Sequence, residues 1–412
     1  MRFSDYSLLD VLKRNLDDAG FKRPTDIQYK AIPSILKGED VLAIAQTGTG
    51  KTGAFAIPVL HLLLTKTRRK TKFQSPRCLV MVPTHELAEQ VSEVFEDLAR
   101  GTNVKILALY GGVGQEPQIE MLGRGVDVLV STPGRMFDLR SQGVLDLSFV
   151  EILILDEADH MLDMGFIHDI RQLIRYLPKK KQTLFFSATI DEQIKKIAYS
   201  LVHKPIRIQI SPKDPVSQNV DHCVFYLEMD EKRFYLEKLI RQHAPGKILV
   251  FVRTRVRAER VAKAMKRVNI ESLLMHGDLD QSERARSLNQ FKQGLVPVMI
   301  STDVSGRGID IPEVVLVVNY DLPDEMEYYV HRVGRTGRGE NKGLAISFCS
   351  PQEVPILQKI EAWLGKPIEI LKLSKHERDD IISESVENKN DLQKLMREIE
   401  EIEAKKKTKK RK

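Results

Sequence analysis

Three carboxylates, Asp156, Glu157 and Asp159, follow a run of four apolar residues in the sequence ILILDEAD. The apolar run does not alternate with polar residues, which favours a short strand of a parallel sheet that is covered on both faces. Ligands of open α/β sheets bind at the carboxyl ends of the strands. One carboxylate there could hold Mg²⁺ while its neighbour orients or deprotonates a water molecule. A solvated acidic turn is the alternative interpretation of these residues alone.

The segment VLAIAQTGTGKT (41–52) is typical of a phosphate-binding loop, because an apolar strand-like run precedes it and an apolar run long enough for a helix (54–64) follows. Glycines let backbone N–H groups approach phosphate oxygens at a helix start, Lys51 supplies a cation, and the Thr52 hydroxyl can bind Mg²⁺. The strict motif begins with Gly where this chain has Ala45. From the residues of the motif alone, a glycine-rich turn is therefore the alternative interpretation.

The segment HRVGRTGR (331–338) places Arg332, Arg335 and Arg338 at every third position. The interspersed glycines disfavour a helix with a basic face and predict a tight loop. Arginines on such a loop are suited to a terminal phosphate, which they could stabilise in a transition state. A solvated basic loop is the alternative.

A fourth candidate is GFKRPTDIQ (20–28), a turn-rich segment before an apolar, helix-like run. The Gln28 amide could read the edge of an adenine, and Phe21 or Phe3 could stack on a base. A Pro-Thr helix start with a surface glutamine is the alternative explanation.

Strand-like runs alternate with helical patterns along most of the chain, and they predict an α/β protein with parallel sheets. The first series contains residues 41–45, 78–82, 105–110, 126–130, 152–155 and 183–186. The second series contains residues 223–227, 248–252, 272–275, 298–300, 314–318 and 344–348. Only the first series contains a phosphate-binding loop. We therefore expect one nucleotide site that the second unit completes.

The length of 412 residues exceeds one ordinary core, and a prior of roughly 150 residues per domain favours two units. We expect a first unit at 1–210 that carries the phosphate-binding loop and a second unit at 219–372, with a linker at 211–218 that contains two prolines. Residues 373–412 are charged, and we expect a partly helical, largely flexible tail.

Composition limits the class of protein. No apolar run approaches the roughly 18 residues of a membrane-spanning helix, and the start MRFSDYSLLD lacks a signal sequence. The three cysteines have no paired metal spacing, which favours a reducing cytoplasm without structural disulfides or zinc. The formal charge of +7 equals the seven basic residues of KKKTKKRK (405–412), so the rest of the chain is neutral overall.

These motifs occur in an order that resembles the DEAD-box ATP-dependent RNA helicases over residues 3–370. The matching segments are GFKRPTDIQ, AQTGTGKT, PTHELAEQ, GG, TPGR, DEAD, SAT, FVRT, HGD with QSER, STDVSGRGID and HRVGRTGR. The segment MLDMGFIHDI is similar to the bacterial RhlE-like branch. The resemblance implies two tandem RecA-like domains that use ATP and Mg²⁺ and that close on RNA, bending it and separating short duplexes until hydrolysis reopens the cleft.

The resemblance also implies residue roles. The residues that would contact ATP are Phe21, Gln28, Ala45, Gln46, Thr47, Gly48, Thr49, Gly50, Lys51, Thr52 and, at the ribose, Asp310. Lys51, Thr52 and Asp156 would hold the phosphates and Mg²⁺. Glu157 would be the general base, and Arg335 with Arg338 would be arginine fingers.

A second set of residues would grip the RNA backbone: Pro83, Thr84, Gly112, Thr132, Arg135, Arg253, Thr254, Gly277, Gln281, Arg284 and Thr302. Coupling between the acidic site and RNA would use Asp159, Ser187, Thr189 and His331. Ala45 is usual for the family. His85 stands where an arginine is expected, which could weaken an RNA contact or make it depend on pH, and Ser305-Gly306 stands where two alanines are expected.

Two other classes of function stay open from the sequence. One is an ATP-gated RNA clamp or scaffold with little unwinding, and the other is a translocase on duplex DNA. The expected partners are RNA, recognised largely without regard to base sequence, and assemblies that process ribosomal precursors or degrade RNA.

Overall fold

The structure, a computed structural model, describes residues 2–46, 48–66, 75–190, 192–210, 216, 219–303, 311, 313–337, 342–372 and 374–385. The chain divides into two compact units, and the division falls between Lys213 and Asp214. This position lies in the predicted linker 211–218, of which only Val216 is among the described residues.

The first unit contains a parallel sheet of seven strands in the order β3-β4-β2-β5-β6-β1-β7. The strands are β1 Val41–Ala45, β2 Cys78–Met81, β3 Ile106–Leu109, β4 Val128–Ser131, β5 Ile152–Leu155, β6 Gln182–Ser187 and β7 Ile206–Ile210. The helices are α1 Asp10–Asp18, α2 Asp26–Leu36, α3 Lys51–Thr65, α4 His85–Leu98, α5 Glu116–Gly123, α6 Pro133–Ser141, α7 Ala158–Asp163, α8 Ile167–Ile174 and α9 Glu192–Leu201.

Both faces of this sheet are covered, which explains why an internal strand such as β1 lacks alternation of apolar and polar residues. In β1, Val41 and Ala43 pack in the hydrophobic core on one face, while Leu42 and Ile44 pack in the core on the other. Successive side chains of a strand point to opposite faces, so a strand between two cores needs apolar residues at every position.

The second unit repeats this plan. Its seven parallel strands have the order β10-β11-β9-β12-β13-β8-β14, which is the order of the first sheet with each number raised by seven. The strands are β8 Val220–Tyr226, β9 Lys247–Phe251, β10 Leu273–Met275, β11 Val298–Ser301, β12 Val314–Asn319, β13 Gly343–Cys349 and β14 Glu369–Ile370. The helices are α10 Lys232–His243, α11 Arg255–Arg267, α12 Gln281–Lys292, α13 Met326–Val333, α14 Val354–Leu364 and α15 Lys375–Glu384. The predicted fold class of two tandem RecA-like domains is confirmed.

The predicted end of the second unit at residue 372 is too early. Helix α15 places Ile381 in the hydrophobic core of this unit. The Ser385 hydroxyl donates a hydrogen bond of 2.6 Å to the Glu237 carboxylate on α10. Residues 374–385 therefore belong to the second unit, and the rest of the predicted tail, residues 386–412, lies outside the described residues.

The sequence did not predict strand β7, because the alternation of strand-like and helical patterns lapses at Ile206. The sequence IRIQI alternates, and β7 pairs with β1 at the edge of the sheet. Within the described ranges, no helix is long and apolar enough to cross a membrane.

Candidate functional site

The phosphate-binding loop lies between β1 and α3, as predicted. Gly48 and Gly50 have φ values of +83° and +90°, in the left-handed region that favours glycine. Gly50 directly precedes α3, so the backbone N–H groups at the start of this helix are available to an anion. Thr47 lies outside the described residues.

Lys51 is the first residue of α3 and is 6% exposed. Its Nζ atom has no hydrogen-bond partner among the residues that the structure describes. A buried ammonium without a partner is costly, and an anion beside it would relieve that cost. The loop and Lys51 together therefore fit a phosphate group.

The acidic residues lie at the carboxyl end of β5, as the sequence predicts. Burial raises the pKa of the Asp156 carboxyl to about 6, while the nearby Lys51 ammonium opposes this shift. A cation beside Asp156 would stabilise its charged form, so this carboxylate fits a Mg²⁺ ligand. Thr52, the other predicted ligand, follows Lys51 in α3. No cluster of three or more His, Cys, Asp or Glu in the described ranges could hold a metal ion.

Glu157 has a strained backbone, with φ 48° and ψ 49°. The left-handed region is unfavourable for a residue with a Cβ atom and is populated mainly where surrounding structure enforces it. Glu157 is buried, and its Oε2 atom lies 3.6 Å from Nδ1 of His160. The turn therefore fixes the carboxylate of the predicted general base at the edge of the sheet.

Gln28 braces the phosphate-binding loop. It is 2% exposed. Its Oε1 accepts a hydrogen bond of 3.0 Å from the N–H group of Thr25, and its Nε2 donates one of 3.1 Å to the carbonyl oxygen of Gly50. The alternative of a surface glutamine is therefore wrong. The spacing of a capping box, Thr25 to Gln28, was a signal for the first of these contacts.

Replacing Gln28 with alanine should weaken binding of a nucleoside triphosphate. The change leaves the Thr25 N–H group without its partner, at a cost of about 1–3 kcal/mol for a buried group. It also removes one of two donors to the Gly50 carbonyl oxygen, which keeps its hydrogen bond from the Ala54 N–H group. Titration of the variant with a fluorescent nucleotide analogue would measure the loss of nucleotide affinity, and thermal unfolding would measure the loss of stability. The exposed amide of Gln142 provides a control, since Gln142→Ala should change neither. Unaltered nucleotide affinity in Gln28→Ala would show that the brace is irrelevant to the loop.

Phe21 and Phe3 have different environments. Phe21 is partly buried, and a Cβ atom on Gly53 would lie 3.3 Å from its ring and 2.8 Å from Gln28 Nε2. No sequence motif signals this close approach at Gly53. Phe3 is 3% exposed and packs edge-on against Phe21, with ring centroids 6.1 Å apart. Phe3 therefore has no free face on which a base could stack.

Asp159 connects the acidic segment 156–159 to the segment SAT at 187–189. Its Oδ2 accepts hydrogen bonds from the N–H groups of Ala188 (3.0 Å) and Thr189 (2.9 Å) and from the Thr189 hydroxyl (3.1 Å). Ser187 is buried, and its hydroxyl has no partner within the described part of the chain. Of the two predicted coupling residues in SAT, Thr189 therefore contacts Asp159 directly, and the coupling of this site to RNA stays a prediction.

The predicted RNA contacts of the first unit share one edge of its sheet. Pro83 and Thr84 follow β2, Gly112 follows β3, and Thr132 and Arg135 follow β4. These three strands are neighbours in the sheet and run parallel. The structure therefore brings these residues to one edge, although they are up to 52 positions apart in the chain.

Arg135 and His85 at this edge are already held by neighbouring side chains. Arg135 donates hydrogen bonds to Gln118 Oε1 (2.8 Å) and to the Val113 carbonyl oxygen (2.7 Å). The His85 ring stacks on Tyr110, with centroids 3.4 Å apart, and its Nε2 lies 3.3 Å from a Glu89 carboxylate oxygen. His85 therefore packs against the unit instead of extending from it.

The second unit repeats the arrangement. Arg253 and Thr254 follow β9, Gly277 follows β10, Thr302 follows β11, and Gln281 and Arg284 lie in the first turn of α12. Strands β10, β11 and β9 are neighbours. The equivalent edge of each sheet therefore carries a set of predicted RNA contacts.

The prediction of a loop for HRVGRTGR is wrong at its start. His331 and Arg332 belong to α13, which ends at Val333, and the turn begins at Gly334. Arg332 is 2% exposed, and it donates hydrogen bonds to Asp303 Oδ2 (2.6 Å) and to the Asp321 carbonyl oxygen (2.7 Å). Arg332 therefore has a structural role.

Arg335, the predicted finger, lies in the turn after α13. It is buried, and its Nε donates a hydrogen bond of 3.1 Å to the carbonyl oxygen of His331. The other predicted finger, Arg338, lies outside the described residues, as do Asp310 and the Ser305-Gly306 pair.

Comparison with known families and proteins gives consistent matches. Residues 25–197 match the family model described as DEAD/DEAH box helicase, and residues 231–340 match the helicase conserved C-terminal domain. The chain is 38% identical to an ATP-dependent RNA helicase RhlB of Shewanella amazonensis over 92% of this chain and 87% of that protein. It is 39% identical to the RhlB of Shewanella woodyi over 90% of this chain and 84% of the relative. The RhlE-like branch is not confirmed by these matches.

Solved structures give the same family. The chain superposes on S. cerevisiae Dbp5 bound to RNA and ADP BeF3 with a TM-score of 0.80 and 29% identity, covering 97% of this chain and 99% of that one. A DEAD box protein from the hyperthermophile Methanococcus jannaschii is 36% identical, with a TM-score of 0.53 and coverage of 90% and 99%.

Proposed function

The chain belongs to the DEAD/DEAH box helicase family, and from this membership and the geometry of its site we propose that it is an ATP-dependent RNA helicase. It hydrolyses ATP to ADP and phosphate and uses the reaction to separate short RNA duplexes or to remodel RNA–protein complexes. The observation that carries this proposal is the buried Lys51 ammonium on a phosphate-binding loop, which lies near Asp156 and has no hydrogen-bond partner in the described part of the chain.

The residues of the loop have distinct proposed tasks. Backbone N–H groups at Gly48, Gly50 and the start of α3 and the Lys51 ammonium bind the phosphates. Asp156 and the Thr52 hydroxyl hold Mg²⁺, which neutralises charge on the phosphates when it is bound. Glu157 accepts the proton of the attacking water, and Gln28 with Phe21 contacts the adenine.

RNA binds, in this proposal, at the two sheet edges that carry threonine, glycine and arginine residues. Hydroxyl, backbone N–H and guanidinium groups suit phosphate and ribose oxygens, which gives affinity with little dependence on base sequence. The similar structure of Dbp5, which was solved with RNA and ADP BeF3, supports RNA binding as such, and the assignment to these edges is our proposal. The contact of Asp159 with Thr189 couples the acidic segment to SAT, and Arg335 of the second unit completes the ATPase site.

Two assays on the full chain test the function. ATPase should be stimulated by RNA and not by duplex DNA, and a short RNA duplex should be unwound over many turnovers. An ATP-gated clamp would bind RNA and hydrolyse ATP slowly without multiple-turnover unwinding. Stimulation by duplex DNA would instead favour a translocase. Absence of any RNA-stimulated ATPase would refute the helicase proposal.

The cellular partners are part of the same proposal. We propose a cytoplasmic role on ribosomal precursors or in RNA-decay assemblies, which are the candidates that the family resemblance raises. Crosslinking in cells, followed by sequencing of the bound transcripts, tests this directly. Recovery of unrelated transcripts without precursor ribosomal RNA or decay intermediates would refute it.

Deletion of Lys405 to Lys412 should weaken RNA binding. The segment has seven basic residues among eight, and the rest of the chain is neutral overall, so this segment supplies long-range attraction. Each neutralised phosphate of a single strand contributes about 0.7 to the slope of log affinity against log salt, which sets an upper limit near 5 for seven contacts. The deletion should flatten that slope and leave the ATPase rate at saturating RNA nearly unchanged. An unaltered slope would show that the segment does not contact RNA.

A further inference from the structure

A buried polar network lies in the second unit beneath one of the two RNA-binding edges. Its centre is Lys232 of α10, which is fully buried (0% exposed). The Lys232 Nζ donates hydrogen bonds to Glu353 Oε2 (2.5 Å) and to the carbonyl oxygen of Tyr320 (2.7 Å), and it lies 3.7 Å from Asp321 Oδ1. Asp321 and Glu353 are themselves buried.

The two carboxylates hold different parts of the edge. Glu353 accepts a hydrogen bond of 3.0 Å from the N–H group of Leu322, which fixes the turn after β12. Asp321 accepts one of 3.1 Å from the N–H group of Arg253, which fixes the turn after β9. Arg253 and Thr254, in the second of these turns, are proposed RNA contacts.

The Arg253 side chain depends on the same groups. Its Nη2 donates to the Leu322 carbonyl oxygen (3.1 Å) and lies 3.5 Å from Glu353 Oε1. Thr254 caps α11 by accepting a hydrogen bond of 3.2 Å from the N–H group of Arg257, and Arg257 Nη2 lies 3.2 Å from Asp321 Oδ1. Arg253, Thr254 and Arg257 line a cavity of about 270 Å³ beside these groups.

Lys232 offsets the repulsion between the two buried carboxylates. Without this ammonium, Asp321 and Glu353 would be two close negative charges, with Arg257 beside Asp321 and Arg253 beside Glu353 as the remaining nearby cations. Both arginines would then be drawn inward, or one carboxyl would take up a proton and lose its hold on the turn. Buried ion pairs are weak evidence for stability, and selecting one conformation is a role attested for some of them.

We propose that Lys232 and Glu353 are positioning residues for RNA binding. They do not contact RNA, and they hold Asp321 so that the turn with Arg253 and Thr254 presents its RNA-binding groups. The inference rests on the proposed helicase function and extends it to residues that the sequence motifs do not include. It predicts that their loss changes the RNA requirement of the enzyme more than its maximal rate.

The experiment measures ATPase against RNA concentration in the full chain, together with thermal unfolding. The variants are Lys232→Met, Glu353→Gln and the double variant Lys232→Met/Glu353→Leu. In each, the half-saturating RNA concentration should rise by roughly 10–100-fold, the usual effect of losing a group that orients a binding residue. The rate at saturating RNA should stay within about threefold of the wild-type rate, because the catalytic groups are unchanged.

The double variant separates positioning from stability. Replacing both charges with apolar side chains of similar size removes the uncompensated buried charge, and such replacements are often neutral for stability. We expect its unfolding temperature to return toward that of the wild type while its half-saturating RNA concentration stays raised. If RNA affinity recovers together with stability, the network is only structural and the inference is wrong.

An ion pair in the first unit, between the buried Arg77 and the partly exposed Glu151, supplies the control. Arg77 donates a hydrogen bond of 2.7 Å to Glu151, just before β5 and at the opposite end of that strand from Glu157. Arg77→Met should lower the unfolding temperature without changing the half-saturating RNA concentration. An equal rise in Arg77→Met would show that RNA affinity follows general stability, which would overturn the inference. A wild-type enzyme without RNA-stimulated ATPase would refute the proposed function itself.

Discussion

Replacing Glu157 with glutamine should lower the maximal ATPase rate by roughly 10²–10⁴-fold, the usual contribution of a positioned acid or base. Glutamine has the shape of glutamate and cannot accept a proton from water. The left-handed backbone at Glu157 is equally unfavourable for both residues, so the turn should persist. Nucleotide and RNA binding should therefore remain near wild type while turnover falls.

The matched control is Glu151→Gln at the other end of the same strand. This change also removes one negative charge, and within the described residues the altered carboxylate pairs with Arg77. We expect a small loss of stability and a normal ATPase rate. Steady-state ATPase with saturating RNA and titration with a nucleotide analogue distinguish catalysis from binding. A normal rate in Glu157→Gln would remove this carboxylate from the mechanism.

The elements that carry the chemistry could be predicted because their signals are local. The runs at Val41–Ala45 and Ile152–Leu155 are short, apolar and without alternation, and both form internal strands of the sheet, as predicted. Glycines, a lysine and a threonine directly after β1 specify the phosphate-binding loop within a few residues. Carboxylates at the end of β5 meet the same edge because all strands of the sheet are parallel.

The elements that were missed have weak or conflicting local signals. Strand β7 is an edge strand whose alternating IRIQI runs into prolines, and β14 has two residues. Helix α15 has the mostly charged sequence KHERDDIISE. Its two large apolar residues, Ile381 and Ile382, pack on the second unit. These elements are stabilised by pairing or packing against distant parts of their units, and local composition does not reveal such contacts.

The interactions of the site residues were less predictable than their positions. Gln28 contacts Gly50 across 22 positions of sequence, and Arg332 contacts Asp303 across 29. The inward stacking of His85 on Tyr110 likewise depends on two neighbouring segments. Predicting such contacts requires knowing which strands are adjacent in the sheet. The sequence implied that order of strands only through the family resemblance.

Replacing Arg335 with alanine should have the largest effect on hydrolysis, up to about 10³–10⁵-fold, if it stabilises charge in the transition state as an arginine finger. ATP binding should change little, because a finger acts mainly after the bond to the phosphate begins to break. Arg338→Ala, at a position outside the described residues, should lower the rate of ATP hydrolysis by a factor in the same range. Single-turnover ATPase and nucleotide titration measure the two quantities separately.

Arg335→Lys distinguishes charge from geometry. Lysine keeps the positive charge and loses the planar donors that bind two oxygens at once, so we expect it to recover only a small part of the lost rate. Thermal unfolding must accompany both variants because Arg335 is buried and hydrogen-bonded to His331. The requirement for the second unit gives an independent test. If residues 1–210 alone hydrolyse ATP as fast as the full chain, Arg335 is not part of the ATPase site, and the proposed completion of that site by the second unit is wrong.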